Sequence, residues 1–165
     1  MILKYIFILF VPLFFLSSGC SDSPTQVNFP IEIEAEISGA VEYNFKGYGT
    51  LYQVKDSTGI QYLYNAITKN TSPQYGFAFT IFFLDSIKKT TMGILDGYKA
   101  NCDYVIVAFI VKNGDKIVSY HSQYGTFTII ELKDTKLQAK FEFNALNPVD
   151  STYVDIINGT IDETN

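Results

Sequence analysis

Arginine is absent from this chain: all 12 of its basic residues are lysines, set against 17 acids. That composition argues against nucleic acid as a partner, because phosphate backbones are gripped by clustered cations and by the bidentate guanidinium fork. Histidine occurs once, as His121, so any catalytic or metal site that needs an imidazole rests on that one residue. Cysteine occurs twice, as Cys20 and Cys102. Charged residues make up 18% of the chain and hydrophobic ones 47%, against a globular norm of about 25% charged, which describes a packed core and excludes a disordered tail. Long apolar runs are missing too. The longest, residues 5–16 (YIFILFVPLFFL), holds twelve residues, whereas a membrane-crossing helix needs about 20.

A run of that length after the basic start MILK is the core of an export signal, for which about 7 to 15 apolar residues suffice. A packed N-terminal helix is disfavoured by Pro12 and by the abrupt change to SSGCSDSPT, since proline removes a helical donor and clashes with the preceding turn. Leu16-Ser17-Ser18-Gly19-Cys20 resembles the lipobox of a bacterial lipoprotein. Small residues stand at the cut and a thiol follows, although Ser17 occupies the place where a bulky aliphatic residue is usual. The resemblance implies removal of residues 1–19 and acylation of Cys20, with each buried methylene of the acyl chains contributing about 0.8 kcal/mol of anchoring. The mature chain would carry 11 lysines against 17 acids, a formal charge of −6. A plain secreted protein with a Cys20–Cys102 disulfide is the alternative. If Cys20 takes lipid, Cys102 is a lone thiol, and burial suits it better than catalysis: the only histidine, His121, lies nineteen residues on, and nothing in ANCDY reads as a helix start that would lower its pKa.

Residues 20–28 are polar and contain a proline, the composition of a flexible tether. From there to residue 162 the period is two, which marks a single all-β domain. Ile31, Ile33, Ala35 and Ile37 alternate with Glu32, Glu34 and Glu36, and Val41, Tyr43 and Phe45 continue the pattern. Segments 47–55 and 60–67 form a hairpin about DSTG, while 125–133 and 135–144 form another about Asp134. Two segments, 75–84 (YGFAFTIFFL) and 103–112 (DYVIVAFIVK), are apolar on both faces and read as strands covered on both sides. Residues 85–91 are the one stretch with the composition of a helical turn. Roughly nine or ten short strands with turns every eight to twelve residues predict an antiparallel β-sandwich, with a calycin-like β-barrel as the alternative. No internal repeat is present.

In the second half, Gly97-Tyr98 is followed by Gly125-Thr126-Phe127-Thr128-Ile129, then 137–143, then 154–161 (VDIINGTI). This order resembles a group of Bacteroidetes lipoproteins of unknown function, whose chains run GTY, GTVTITE, VSGTFSF and finally VTITNGTF. Here Gln138-Ala139-Lys140 stands in place of the Ser-Gly-Thr, and Ile161 replaces the closing phenylalanine. The resemblance covers roughly residues 90–162 and implies a β-rich envelope lipoprotein with no assigned activity.

Motifs that carry chemistry are sparse. Glu32, Glu34 and Glu36 project on one strand face about 7 Å apart, the arrangement of a solvated outer surface, since a calcium site needs converging loop oxygens. Tyr120-His121-Ser122-Gln123-Tyr124 and Gln61-Tyr62-Leu63-Tyr64 bring aromatic rings, an imidazole and amides together, a composition suited to stacking on a sugar ring. Tyr62, Tyr64, Tyr120, His121 and Tyr124 are therefore the candidate ligand-binding residues. A serine hydrolase lacks its GxSxG elbow, one histidine and one spare cysteine do not make a zinc site, and the glycine pairs lack the strand-to-helix context of a phosphate loop.

The expectation is a non-enzymatic binding or interaction module, without cofactor, exported by the general secretory route and lipid-anchored in the bacterial envelope, most simply at the outer membrane. Its partners would be the membrane, through the anchor, and an envelope protein or a small ligand. The rival from another class is a small-ligand carrier whose barrel cavity is lined by phenylalanine and tyrosine.

Overall fold

A computed structural model describes residues 31–56, 59–68, 71–84, 86, 90–99, 102–133 and 136–163. The expected leader (1–19), Cys20 and the expected tether (20–28) lie outside the described residues. Nine strands follow in order: β1 (Ile31–Gly39), β2 (Tyr43–Asp56), β3 (Gly59–Ile67), β4 (Gln74–Phe83), β5 (Thr91–Leu95), β6 (Tyr104–Asn113), β7 (Lys116–Lys133), β8 (Lys136–Leu146) and β9 (Tyr153–Glu163). No helix occurs among the described residues, and the all-β reading holds.

The strands form one continuous sheet in the order β1-β2-β3-β4-β6-β5-β7-β8-β9, and β9 pairs back onto β1 to close a ring. Closure runs from Ile31 opposite Glu163 to Gly39 opposite Val154. Of the two all-β arrangements expected, this connectivity is that of a barrel, but not a clean one. β6 and β7 begin as an antiparallel hairpin, from Asn113 opposite Lys116 to Ala108 opposite His121. They then part, and β5 enters the gap, antiparallel to β7 and parallel to β6. β5 itself was not foreseen. Thr91, the last residue of the stretch expected to make a helical turn, instead opens this strand.

Two strands are longer than the sequence segments suggest, because glycine and bulges let a strand continue where its composition breaks. β2 runs from Tyr43 through 47–55 to Asp56 and so joins the two segments into one strand. β7 spans 18 residues, with register shifts between Ser122 and Tyr124 and between Ile129 and Glu131. Each β-bulge inserts one residue and so restores the inward phase of the next. Tyr120, Ser122, Phe127, Ile129 and Leu132 consequently all face the interior.

That interior is aromatic. Phe77 lies at its centre, with the rings of Phe45, Phe79, Phe109, Phe141 and Phe143 at centroid distances of 4.7 to 6.2 Å. Edge-to-face and tilted pairs at such separations gain about 0.5–1.5 kcal/mol beyond their buried area. Rings of this size fit because small residues stand beside them. Gly125 is directly opposite Phe143 on β8, and Gly159 is directly opposite Phe141. A methyl group at Gly159 would overlap the Phe141 ring, and one at Gly125 would overlap the Phe143 side chain and the Glu142 carbonyl.

The Asn158-Gly159 pair also explains the INGT string. Ile157 and Asn158 both face outward at a register shift in the β8–β9 ladder. Asn158 adopts φ +53°, a left-handed conformation that asparagine tolerates better than most residues. Gly159 then returns inward under the Phe141 ring.

Gly159→Ala is expected to lower the unfolding free energy by about 1–3 kcal/mol, the usual cost of overpacking, as read by urea titration. Combining it with Phe141→Leu should recover part of that loss, the coupling characteristic of residues in contact. Strictly additive losses would show that the ring is not what the glycine accommodates.

Candidate functional site

Strict alternation along β3 sends Tyr62 and Tyr64 inward together, and they are 1% and 0% exposed. Tyr62 meets Phe83 edge-on at 6.3 Å. Tyr64 donates its hydroxyl hydrogen bond to the carbonyl of Ile31 at 2.9 Å, tying β3 across the interior to the start of β1. Burial pushes the Tyr64 phenol well above its ordinary range, with the nearby Glu32 carboxylate acting in the same direction. Tyr120 on β7 is likewise interior, 6.0 Å from the ring of Phe109. Three of the five candidate residues are thus part of the packed core, because the even spacing that suggested a shared binding face is also the spacing of an inward face.

The other two face outward on β7 and do not join them. Tyr124 is exposed. His121 is half-buried, between Ala108 on β6 and Leu146 on β8, and burial lowers its pKa below the usual imidazole value. Gln123 is the residue inserted by the bulge, and its side-chain amide donates to the backbone carbonyls of His121 and Ser122 at 3.1 and 3.2 Å. A local use of that amide competes with any ligand.

Between them sits a residue whose role the sequence did not announce. Ser122 is 1% exposed, at the point where β6 and β7 part. Its Oγ accepts from the backbone N–H of Val107 on β6 at 3.1 Å and donates to the carbonyl of Leu95 on β5 at 2.6 Å. A fork in a sheet leaves a donor and an acceptor without ladder partners, and this hydroxyl satisfies both. The signal available in the sequence was a lone serine at an inward position between Tyr120 and Phe127.

On the outside of the ring, charge is distributed by strand. Glu32, Glu34 and Glu36 face outward from β1; Lys46 on β2 pairs with both Glu32 and Glu34, and Asn158 donates to Glu36 at 3.2 Å. Lys46 is held protonated above its usual range by those two carboxylates. Among the described residues no cluster of three or more potential metal ligands occurs. Lys140, Glu142, Asp155 and Asp162 continue the charged side over β8 and β9.

On the opposite side four successive rows carry no charge, with Lys46 and Lys112 at their edge. In register across β2, β3, β4 and β6 stand Val54, Gln61, Phe82 and Tyr104; then Tyr52, Leu63, Thr80 and Ile106; then Thr50, Asn65, Ala78 and Ala108; then Tyr48, Ile67, Gly76 and Ile110. This outer surface accounts for the second apolar face of β4 and β6: it is the outside of the ring and is not sealed beneath another sheet. One end is aromatic. Phe82 stacks on Tyr104 at 5.1 Å, and Tyr98 meets Tyr104 edge-on at 5.8 Å while remaining 71% exposed. Burial, with help from Tyr98 and Cys102, pushes the Tyr104 phenol up to about 12. Cys102 itself is a free, half-buried thiol. Depletion of charged residues is also what sets the core of a contact face apart from the rest of a protein surface.

Comparison with known protein families, with curated proteins and with solved structures finds no match for this chain.

Two outcomes follow from these placements. Ser122→Ala should cost about 2–4 kcal/mol, because it buries the Val107 amide and the Leu95 carbonyl without partners, and hydrogen exchange at the Val107 amide should accelerate by orders of magnitude. Unchanged exchange there would mean that the fork is held by something else. For His121, the folded state binds the proton less readily than the unfolded chain does. Its contribution to stability is therefore complete above the unfolded value of about 6.5 and is lost as pH falls through the depressed folded value. His121→Gln should flatten the stability profile over that window, and an NMR titration of the ring should place its midpoint below 6.5.

Proposed function

We propose that this chain is a lipid-anchored protein of the bacterial cell envelope, exported by the general secretory route and held through Cys20, which acts as a non-enzymatic binding or interaction module. The observation that carries the binding reading is the four uncharged rows across the outside of β2, β3, β4 and β6, from Val54 and Tyr104 to Tyr48 and Ile110, set against a charged surface on β1, β8 and β9. A solvated barrel has no need of that asymmetry, whereas a protein that meets a partner on one side does. The aromatic filling of the interior also supports an outer contact face over a carrier cavity, because Phe77 and the five rings around it occupy the space a ligand would take.

The anchoring reading is supported by residues 1–20: a basic start, twelve apolar residues and Ser18-Gly19-Cys20. It agrees with the resemblance of residues 90–162 to Bacteroidetes lipoproteins, which implies a β-rich envelope lipoprotein. The sole histidine supports the non-enzymatic reading. His121 sits between alanine and leucine, with its charged form disfavoured by burial, the reverse of an imidazole poised by a carboxylate for proton transfer.

Expression of Cys20→Ala in a bacterium that processes lipoproteins is the direct test. The variant should leave the membrane fraction and accumulate as the uncleaved precursor or as soluble protein. A variant that stays membrane-associated and is processed as before would remove the anchoring reading.

A further inference from the structure

The chain enters the ring at a definite end. Ile31, the first residue of β1, lies opposite Gly49 and Glu163, so residues before it arrive at the end that carries the β2–β3 and β7–β8 hairpins, the close of β4 and the start of β6. Extended, the eleven residues 20–30 reach at most about 40 Å. An acylated Cys20 therefore keeps this end within a few nanometres of the bilayer, which makes lipid the surface it meets most often.

The same end carries the aromatic part of the uncharged face. Tyr98 is 71%, Val54 45% and Leu84 40% exposed, beside the Phe82–Tyr104 stack. Tyrosine with an exposed ring and a polar hydroxyl favours the headgroup boundary of a bilayer, where one end of the side chain is apolar and the other wet. Charges at this end are mixed: Asp96 and Lys99 flank Tyr98, and Glu131, Lys133, Lys136 and Asp162 stand across the ring. Attraction to anionic lipid is accordingly not what this end is built for.

We propose that the Tyr98 end of the ring rests on the bilayer surface, with Tyr98, Leu84 and Val54 seated among the headgroups, so that the lipid anchor and this patch together orient the domain. The rest of the uncharged face, around Asn65 and Ala78, then stands clear of the membrane for a partner. The proposal rests on the anchoring reading above.

The chain contains no tryptophan, so one substitution gives an unambiguous optical reporter. The substitutions are Tyr98→Trp and, at the opposite end of the ring, Tyr153→Trp, both at exposed positions. Each full-length variant is produced in lipidated form and reconstituted into vesicles of phosphatidylethanolamine and phosphatidylglycerol containing a brominated phosphatidylcholine. Loss of most of the Tyr98→Trp emission on bromination, with Tyr153→Trp unaffected and little change between low and high salt, is the expected result. Protein that floats with the vesicles but shows no quenching at position 98 would overturn the surface contact and leave the anchor standing. Quenching abolished by salt would replace aromatic seating with simple charge attraction and overturn the proposal as stated. A blue shift at position 98 that grows with protein density without bromine quenching would assign the patch to another protein copy instead. Protein that fails to float at all would remove the anchor and this inference with it.

Discussion

Pairing of β1 with β9 closes the sheet, and a closed sheet encloses a volume that its own side chains must fill. The remainder of this structure follows from how that filling is done. Large rings supply volume cheaply in sequence length, and Phe77 with its five neighbours occupies the centre. Rings on adjacent strands collide unless something small lies beneath them. Gly125 opposite Phe143 and Gly159 opposite Phe141 provide that relief, and the conformations they demand propagate outward. Asn158 turns left-handed so that Gly159 can return under its ring.

A second constraint is polar. Nine strands do not close with uniform pairing here, because β6 and β7 separate and β5 fills the gap. Each departure from a regular ladder exposes backbone groups that water cannot reach. The hydroxyl of Ser122 answers the departure at the fork, and the bulges of β7 keep the interior phase intact on either side of it. The pentapeptide around His121 is best understood this way. Tyr120 fills the interior, Ser122 joins three strands and Gln123 folds onto its own backbone, which leaves His121 and Tyr124 as its outward members.

With aromatic rings at the centre of the interior, the proposed binding role falls to the outside. There a charged surface on β1, β8 and β9 faces away from four uncharged rows across β2, β3, β4 and β6. A two-sided surface suits a protein whose environment is two-sided. A domain tethered at one end to a bilayer lives in such an environment, and the proposed orientation gives each region a different neighbour: lipid for the aromatic end, a partner for the middle of the uncharged face, water for the glutamate row.

Alternation of apolar and polar residues was enough to establish an all-β chain, the hairpins about DSTG and Asp134, and the inward residues of β8 and β9, because period two reports directly on which face a strand buries. The apolar outer positions of β4 and β6 were legible as well, though not what they faced. Closure was decided only in three dimensions. Whether the first and last strands meet depends on twist and stagger summed over the whole sheet, and no local pattern encodes that sum. The same holds for the candidate site. Tyr62, Tyr64 and Tyr120 have the composition of a sugar-stacking surface, but the side of the sheet they occupy is set by register, and a shift of one residue exchanges inside for outside. Ser122 was invisible for a related reason: its value comes from a fork between strands far apart in sequence, and only the tertiary structure brings Leu95 and Val107 to its two lone partners.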